Sequence, residues 1–305
     1  MAGTGTQSVA VYCLGGFSMT VDGRPVEQLR AGKTRSLFQY LLVNRGRVVL
    51  REQLYEVLWP GVEWSKDSSR LKVAVHTLRR LLAGCGAPIQ VLHRDFGYML
   101  VADDIWIDYK EFEGWFDAAR AAEARGDSRY ALRLYRKCAG FYRGDFLAGE
   151  TTRWVTEHQE WTRSIALRAM NRLRVEAVNG DNSDEVVLWC RRILELDPYH
   201  EQTYQVLMWV HGRSGQLASV DGWYRLCSQR LRDDLDVEPA EATKRIYLTA
   251  MRGEFGQGAR LSPAGRPSPP AARSPRPAAR PSQPAGTLVL QRPQPRWVPA
   301  VATAR

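Results

Sequence analysis

The sequence predicts a small α+β domain, then an all-α domain of helical repeats, and then a disordered tail. Three observations lead to this prediction. Short β-prone runs and a closing hairpin frame three amphipathic helices in the first hundred residues, helical periodicity dominates the middle, and the last 54 residues hold 11 of the 16 prolines. We place the two domains at residues 8–102 and 103–251 and the proline- and arginine-rich tail at 252–305, and we expect residues 1–7 to be disordered.

The first domain begins with a small antiparallel sheet over residues 8–26. Its β-prone runs are separated by a Gly-Gly pair and an Asp-Gly pair, which are typical of hairpin turns. Apolar residues at helical spacing then predict helices over residues 33–44, 51–58 and 69–83. Residues 89–101 alternate around a glycine-containing turn and predict a closing hairpin.

The third helix has two faces of different character. Leu71, Val75, Leu78 and Leu82 lie on one face at 100° per residue, and that face must pack on the domain. The opposite face carries hydrogen-bond donors and small apolar groups, which major-groove contacts with base edges require. The side chains that we predict to contact bases there are Ser69, Arg70, Lys72, Val73, His76, Thr77 and Arg80. Taken alone, the segment is more typical of a solvated amphipathic face, and its place in the domain favours DNA.

A sheet, three helices and a terminal hairpin together make a winged helix-turn-helix. In that fold the third helix enters the major groove and the hairpin, or wing, contacts the backbone or the minor groove. Arg94 lies at the predicted hairpin tip and is a candidate for such a contact. Arg35 and Arg51 begin the first two helices, where they either contact phosphates or are ordinary surface residues. Residues 1–101 carry a net charge of +6 and residues 102–251 of −4, which favours a DNA-binding first domain.

The second domain is predicted to be helical with four polar breaks. These breaks are Gly126-Asp127, Gly180-Asp181, Asp197-Pro198 and Gly215-Gln216. The 35 residues from Gly180 to Gly215 are close to the 34-residue helix–turn–helix period of tetratricopeptide repeats. We therefore predict a tetratricopeptide-like domain, with an irregular helical bundle as the alternative.

Neither enzyme chemistry nor a membrane location is expected. Gly32-Lys33 lacks the glycine that a phosphate-binding loop needs five residues earlier, since Glu27 stands there. The five histidines have no partners at metal-ligand spacing, so we predict no metal, no cofactor and no catalytic residue. Five scattered cysteines, no secretory signal and no apolar run near ~20 residues favour a cytoplasmic, nucleoid-associated protein.

Several motifs follow one another in a familiar order. Residues 71–82 resemble the recognition helix of the response-regulator (OmpR-like) winged helix, and the run from Arg94 to Tyr98 resembles its wing. The motifs Asp108–Phe112, Tyr142–Leu147, Leu196–Glu201 and Leu235–Pro239 follow as in the bacterial transcriptional activator domain. On these motifs, residues 8–251 resemble the Streptomyces antibiotic regulatory protein (SARP) family. The chain departs from the family at Asp236, where members usually have glycine.

The resemblance implies a sequence-specific transcriptional activator. Family members bind direct repeats in double-stranded promoter DNA, usually as side-by-side protomers, and recruit RNA polymerase holoenzyme. They commonly switch on specialised-metabolite (antibiotic) gene clusters. By the same resemblance, the loop between the second and third helices faces the polymerase, with Trp64, Lys66 and Asp67 as contacts. For Trp64, capping the core is an equal alternative, and for Trp59 it is the role that we expect.

Two alternatives remain open at this point. In one, the helical repeats bind a partner protein and the winged helix is mainly an interaction module. In the other, the helical domain senses a small ligand. Its lining would come from a cluster of aromatic residues, namely Trp189, Tyr204, Trp209, Trp223 and Tyr224, although such residues at helical spacing are more often core.

Overall fold

The computed structural model describes residues 8–29, 32–63, 69–102 and 104–255. The strands are β1 (Val9–Tyr12), β2 (Ser18–Val21), β3 (Arg24–Pro25), β4 (Val49–Leu50), β5 (Ile89–Arg94), β6 (Gly97–Ala102) and β7 (Ile105–Ile107). The first three α-helices are α1 (Lys33–Val43), α2 (Arg51–Leu58) and α3 (Arg70–Gly84). The others are α4 (Asp108–Ala124), α5 (Ser128–Phe141), α6 (Arg153–Asn179), α7 (Ser183–Leu196), α8 (Glu201–Arg213), α9 (Leu217–Leu235) and α10 (Glu241–Met251). Across the described ranges, no helix combines the length and the apolar character that crossing a bilayer needs.

The first sheet has the strand order β3-β2-β1-β7. The antiparallel part, β1 to β3, confirms the prediction for residues 8–26, and its Asp22-Gly23 turn has positive φ at both residues, 48° and 75°. Two positive φ values are what a type I′ hairpin turn requires. β7 was not predicted. It pairs in parallel with β1, with Val9 opposite Ile105, although it follows the wing in the sequence.

The second sheet has the order β4-β6-β5 and contains the predicted hairpin. The short strand β4, which the sequence pattern did not reveal, pairs with β6 so that Leu50 lies opposite Gly97. A Cβ atom at Gly97 would lie 2.1 Å from the carbonyl oxygen of Val49. Only glycine allows β4 to approach this closely, and the wing is therefore fixed to the segment that leads into α2.

The three helices of the winged helix match the predictions. The stripe predicted to be buried on α3 is buried, and Ala74 joins it. Leu37 of α1, Leu54 of α2 and Leu78 of α3 have no exposed surface and belong to one core. At about 1.5–3 kcal/mol for each fully buried leucine, this shared core dominates the stability of the domain.

The helical domain consists of α4 to α10, each packed on its sequence neighbours. All four predicted breaks are present, and the side chains of Asp127 and Asn182 cap the next helices by accepting the N–H of Tyr130 at 3.0 Å and of Glu185 at 3.1 Å. Asp236 ends α9 in the left-handed conformation, φ 55° and ψ 38°. An aspartate tolerates this conformation, which explains how the turn survives without the usual glycine.

Residues 142–152 of the second domain form a long non-helical stretch that the four predicted breaks did not include. Residues 142–152 cross to the first sheet, where Phe146 forms a β-bridge with Leu14. The N–H of Gly15 donates to the carbonyl of Asp145 at 3.0 Å, and the N–H of Leu147 donates to the carbonyl of Cys13 at 2.7 Å. Backbone hydrogen bonds therefore join the two domains directly.

Asp108, the first residue of α4, forms a second junction between the domains. Its carboxylate accepts the N–H groups of Cys13 at 2.7 Å and Leu14 at 2.9 Å. Burial raises the pKa of Asp108, and the backbone N–H groups that it accepts oppose the rise. One hydrophobic core runs from the winged helix through α7.

The packed chain continues to Phe255, past the predicted start of the tail at residue 252. The Phe255 ring lies 3.0 Å from the position that a Cβ atom of Gly212 would occupy, so it packs on α8. The rest of the predicted tail, from residue 256, and the predicted disordered start, residues 1–7, lie outside the described residues.

Candidate nucleic-acid interface

The face of α3 that we predicted to contact bases is open to solvent. Val73 exposes 59% of its surface. The exposed members are Ser69, Arg70, Lys72, Val73, His76 and Arg80, with Thr77 half-buried beside them. Because Val75 and Leu78 are buried on the other side, this face is the one that α3 can present to a groove.

The cations of this face are available for an external partner. Arg70, Lys72 and Arg80 make no ion pair with any residue that the structure describes. Arg79 differs from them, because its Nε donates to the carbonyl of Val91 on β5 at 2.8 Å. Arg79 therefore fixes the angle between α3 and the wing. Its sequence position, next to Arg80, gave no sign of this difference.

Arg94 lies at the tip of the wing, as predicted. It is the last residue of β5, it is exposed, and it pairs with Gly97 across the turn. Asp95 takes a positive φ of 45° in this turn, and Phe96 is 78% exposed. The wing tip thus presents one cation and one large apolar ring to solvent.

Arg51 lies against the wing. It is the first residue of α2, and its backbone N–H donates to the carbonyl of Phe96 at 3.2 Å. Its Nη2 lies 2.5 Å from Nε2 of His93, whose ring packs edge-on against Tyr98. The structure therefore brings Arg51 and Arg94 to the same end of the domain, although they are 43 positions apart.

Arg35 lies elsewhere. Its guanidinium pairs with Glu150 in the segment that crosses from the helical domain, and both side chains are about three-quarters buried. The partner is 115 residues away, so the sequence could not reveal it. The structure places Arg35 at the junction between the domains.

Two exposed arginines near the wing were missed at the sequence level. Arg45 and Arg47 flank Gly46 in the turn between α1 and β4, and the N–H of Gly46 donates to the carbonyl of Leu100 at 3.0 Å. The signal was an Arg-Gly-Arg run before a β-prone stretch. The β4–β6 pairing, which the sequence did not reveal, is what places these arginines near the wing.

Trp59 packs where we expected it. It is half-buried, its ring centroid is 4.8 Å from that of Tyr55, and it joins the core. Trp64, Lys66 and Asp67, the predicted polymerase contacts, lie outside the described residues.

The aromatic cluster considered as a ligand site is mostly core. Tyr204 is fully buried and donates to the carbonyl of Pro198 at 2.8 Å, and Trp209 is 4% exposed. The Tyr224 ring stacks on Tyr247 with centroids 4.1 Å apart. These contacts fill the interior between α8, α9 and α10.

Comparison with known protein families agrees with this architecture. The family model "Transcriptional regulatory protein, C terminal" matches residues 28–100, and "Bacterial transcriptional activator domain" matches residues 107–249. The chain belongs to the SARP family of transcriptional regulators. The matched families are regulatory, and no catalytic family is indicated.

Similar full-length proteins are also regulators. "Transcriptional regulatory protein MoaR1" of Mycobacterium bovis and of Mycobacterium tuberculosis are each 25% identical over 256 residues, 80% of this chain and 80% of the relative. A solved structure, "Mycobacterium tuberculosis EmbR in complex with low affinity phosphopeptide", aligns with a TM-score of 0.62 at 24% identity. The alignment covers 81% of this chain and 65% of the EmbR chain. At this identity the likeness shows the fold.

Proposed function

We propose that this SARP-family regulator is a sequence-specific transcriptional activator that binds direct repeats in promoter DNA. The main support is the exposed face of α3, where Arg70, Lys72 and Arg80 make no ion pair with a described residue. A folded protein leaves several unpaired cations on one helix face at little cost in water. A polyanion such as the DNA backbone turns them into a binding surface.

In this proposal, α3 enters the major groove. Arg80 pairs with a guanine, and Val73 and the Thr77 methyl group meet thymine methyl groups. Ser69, Arg70, Lys72 and His76 complete the contacts. Arg94 at the wing tip contacts a phosphate or the minor groove, with Arg51 behind it. A phosphate contact by Arg35 requires exchange of its Glu150 partner, so we rank it below the other two.

The activator step follows from the family. We propose that two protomers lie side by side on a direct repeat and recruit RNA polymerase holoenzyme, with Trp64, Lys66 and Asp67 as contacts. The regulated genes are proposed to form a specialised-metabolite cluster, and the protein would act at the nucleoid. The EmbR structure holds a phosphopeptide. We do not extend that ligand to this chain, because the chain spans only 65% of that protein.

Binding of the full-length protein to DNA tests the proposal. Fragments from the neighbourhood of the gene are incubated with protein at ~150 mM salt and excess competitor DNA, because electrostatic attraction alone is weak under these conditions. We expect one fragment to be retained and a direct repeat to be protected from nuclease. Run-off transcription with holoenzyme then tests activation. Binding that vanishes with competitor would leave only non-specific attraction and refute a sequence-specific regulator.

A further inference from the structure

Three apolar side chains are exposed on backbone segments that hydrogen-bond to one another beside the wing tip. Phe96 is 78% exposed, Val48 43% and Leu50 41%. Leu50 lies opposite Gly97 in the β4–β6 ladder, and Val48 Cγ1 lies 3.0 Å from where a Gly97 Cβ would stand. We call these three residues the wing-tip cluster. Large apolar groups gathered on a surface mark a binding site more often than isolated ones do.

The cluster rests on a rigid support. The Arg51 N–H bonds to the Phe96 carbonyl at 3.2 Å, the Leu50 N–H bonds to Gln53 Oε1 at 3.1 Å, and Arg79 ties α3 to β5. The wing tip, the start of α2 and α3 therefore hold fixed positions relative to one another. A rigid partner is bound at a lower entropic cost by such a surface than by a mobile loop.

Charge around the cluster indicates what the partner is. Arg47 directly precedes Val48, Arg94 lies two residues before Phe96, and Arg51 follows Leu50. The neighbouring acids are Asp95 and Glu52. This cationic rim opposes a second copy of the same face, since like charges would meet. It complements a groove that has phosphates along its edges and deoxyribose carbons on its walls.

We propose that Phe96 enters the DNA minor groove beside Arg94, while Val48 and Leu50 pack on the sugars of the adjacent strand. Apolar side chains in the minor groove act as wedges that partly unstack a base step. The wedge would favour flexible pyrimidine–purine steps, so the wing would select sequence through deformability at positions that α3 does not touch. This inference rests on the proposed function and adds a recognition element to it.

The test compares variants on one selected duplex. The full-length protein first selects duplexes from a random pool. In the selected duplex, 2-aminopurine then replaces an adenine at the base step that is expected to lie under the wing. We expect Phe96→Ala to weaken binding roughly tenfold, because partial burial of a phenylalanine is worth about that much, without changing the salt dependence. We expect Phe96→Leu to bind nearly as the wild type does. Arg94→Ala should instead lower the salt slope by about one.

The outcomes separate the inference from the function on which it rests. Higher 2-aminopurine fluorescence with wild type, lost in Phe96→Ala at saturating protein, supports the wedge. If Phe96→Ala binds the duplex as tightly as wild type and unstacks it equally, the wedge is refuted while DNA binding stands. If the variant instead changes only the sedimentation of the free protein, the cluster is a contact between copies and the inference is also wrong. If wild type selects no duplex, the proposed function itself fails.

Discussion

Four arginines of the helical domain differ in their contacts from the cations of α3. Each of the four forms an ion pair with a residue from another segment of the chain. The pairs are Arg136–Glu185, Arg163–Asp145, Arg172–Glu123 and Arg213–Asp181, at 2.5–2.8 Å. On α3, Arg70, Lys72 and Arg80 have no acidic partner among the described residues. The first set of charges is paired within the protein, and the second set is exposed without an ion-pair partner among the described residues.

Glu123 and Glu185, which belong to two of these ion pairs, have lowered pKa values. Hydrogen bonds from Arg172 hold the pKa of Glu123 below its ordinary value, and Arg136 does the same for Glu185. These pairs are partly exposed, so each is worth about 1 kcal/mol or less. These ion pairs therefore orient the elements of the helical domain relative to one another and add little to its free energy of unfolding.

The largest effect should come from the buried side of α3. Leu78 has no exposed surface, and Leu78→Ala should lower the free energy of unfolding by ~2–5 kcal/mol because it leaves a cavity. Urea denaturation followed by tryptophan fluorescence measures this change. Val73→Ala, on the exposed side of the same helix, is the control and should stay within ~0.5 kcal/mol of wild type. Equal losses in the two variants would contradict the assignment of the two faces.

A second effect should appear in DNA affinity and not in stability. Arg80→Ala should cost ~1–3 kcal/mol of binding at one base pair of the selected site. Competition binding with duplexes mutated at single positions measures the loss. Arg163→Ala is the matched control, since it removes the same side chain from the helical domain and should leave DNA binding unchanged. Our assignment of α3 is wrong if Arg80→Ala binds every duplex as the wild type does.

The same control variant should have a smaller effect on stability. Arg163 bonds to Asp145 at 2.8 Å, and both side chains are about one-third exposed, 34% and 35%. We expect Arg163→Ala to cost ~0.5–1 kcal/mol in urea denaturation, because Tyr142 still donates to Asp145. A loss above ~2 kcal/mol would mean that this pair holds the crossing segment in place.

The smallest effect should be a pH dependence centred on His200. Burial and the charge of Arg174 lower the pKa of this imidazole in the folded protein, against the influence of Asp197. The unfolded chain then binds more protons below its ordinary pKa of ~6.5, so stability falls as pH drops from 6.5 toward the folded pKa. His200→Asn, which removes the titratable ring and places a residue favoured at helix N-caps before α8, should flatten this slope. Thermal melting from pH 7 to 5 tests it, and identical slopes would contradict it.

Local patterns in the sequence were sufficient for much of the fold. Helical spacing gave α1, α2 and α3, and turn residues gave the two hairpins, because those elements depend on near neighbours. β4 and β7 were missed since two or three residues carry no pattern, and their pairing partners are distant. Residues 142–152 were taken as part of a helical domain although Gly144 and Gly149 mark them as a loop.

The candidate interface was predictable to a similar degree. The faces of α3 followed from its 100° periodicity, and Arg94 followed from the hairpin turn. The sequence could not distinguish Arg79 from Arg80, because the acceptor of Arg79 is a backbone carbonyl of the wing. Nor could it show that Glu150 engages Arg35, or that β4 brings Leu50 opposite Gly97. Such contacts depend on tertiary structure.

The backbone bonds between Leu14, Gly15 and the crossing segment bear on how these regulators are recombined. A fragment cut after residue 102 would lack β7, the Phe146 bridge and the Asp108 carboxylate, leaving the Cys13 and Leu14 N–H groups without acceptors. A chimera that exchanges operator specificity must therefore transplant residues 8–155 as one block. The unit that must be inherited or engineered together with the winged helix therefore extends to the start of α6.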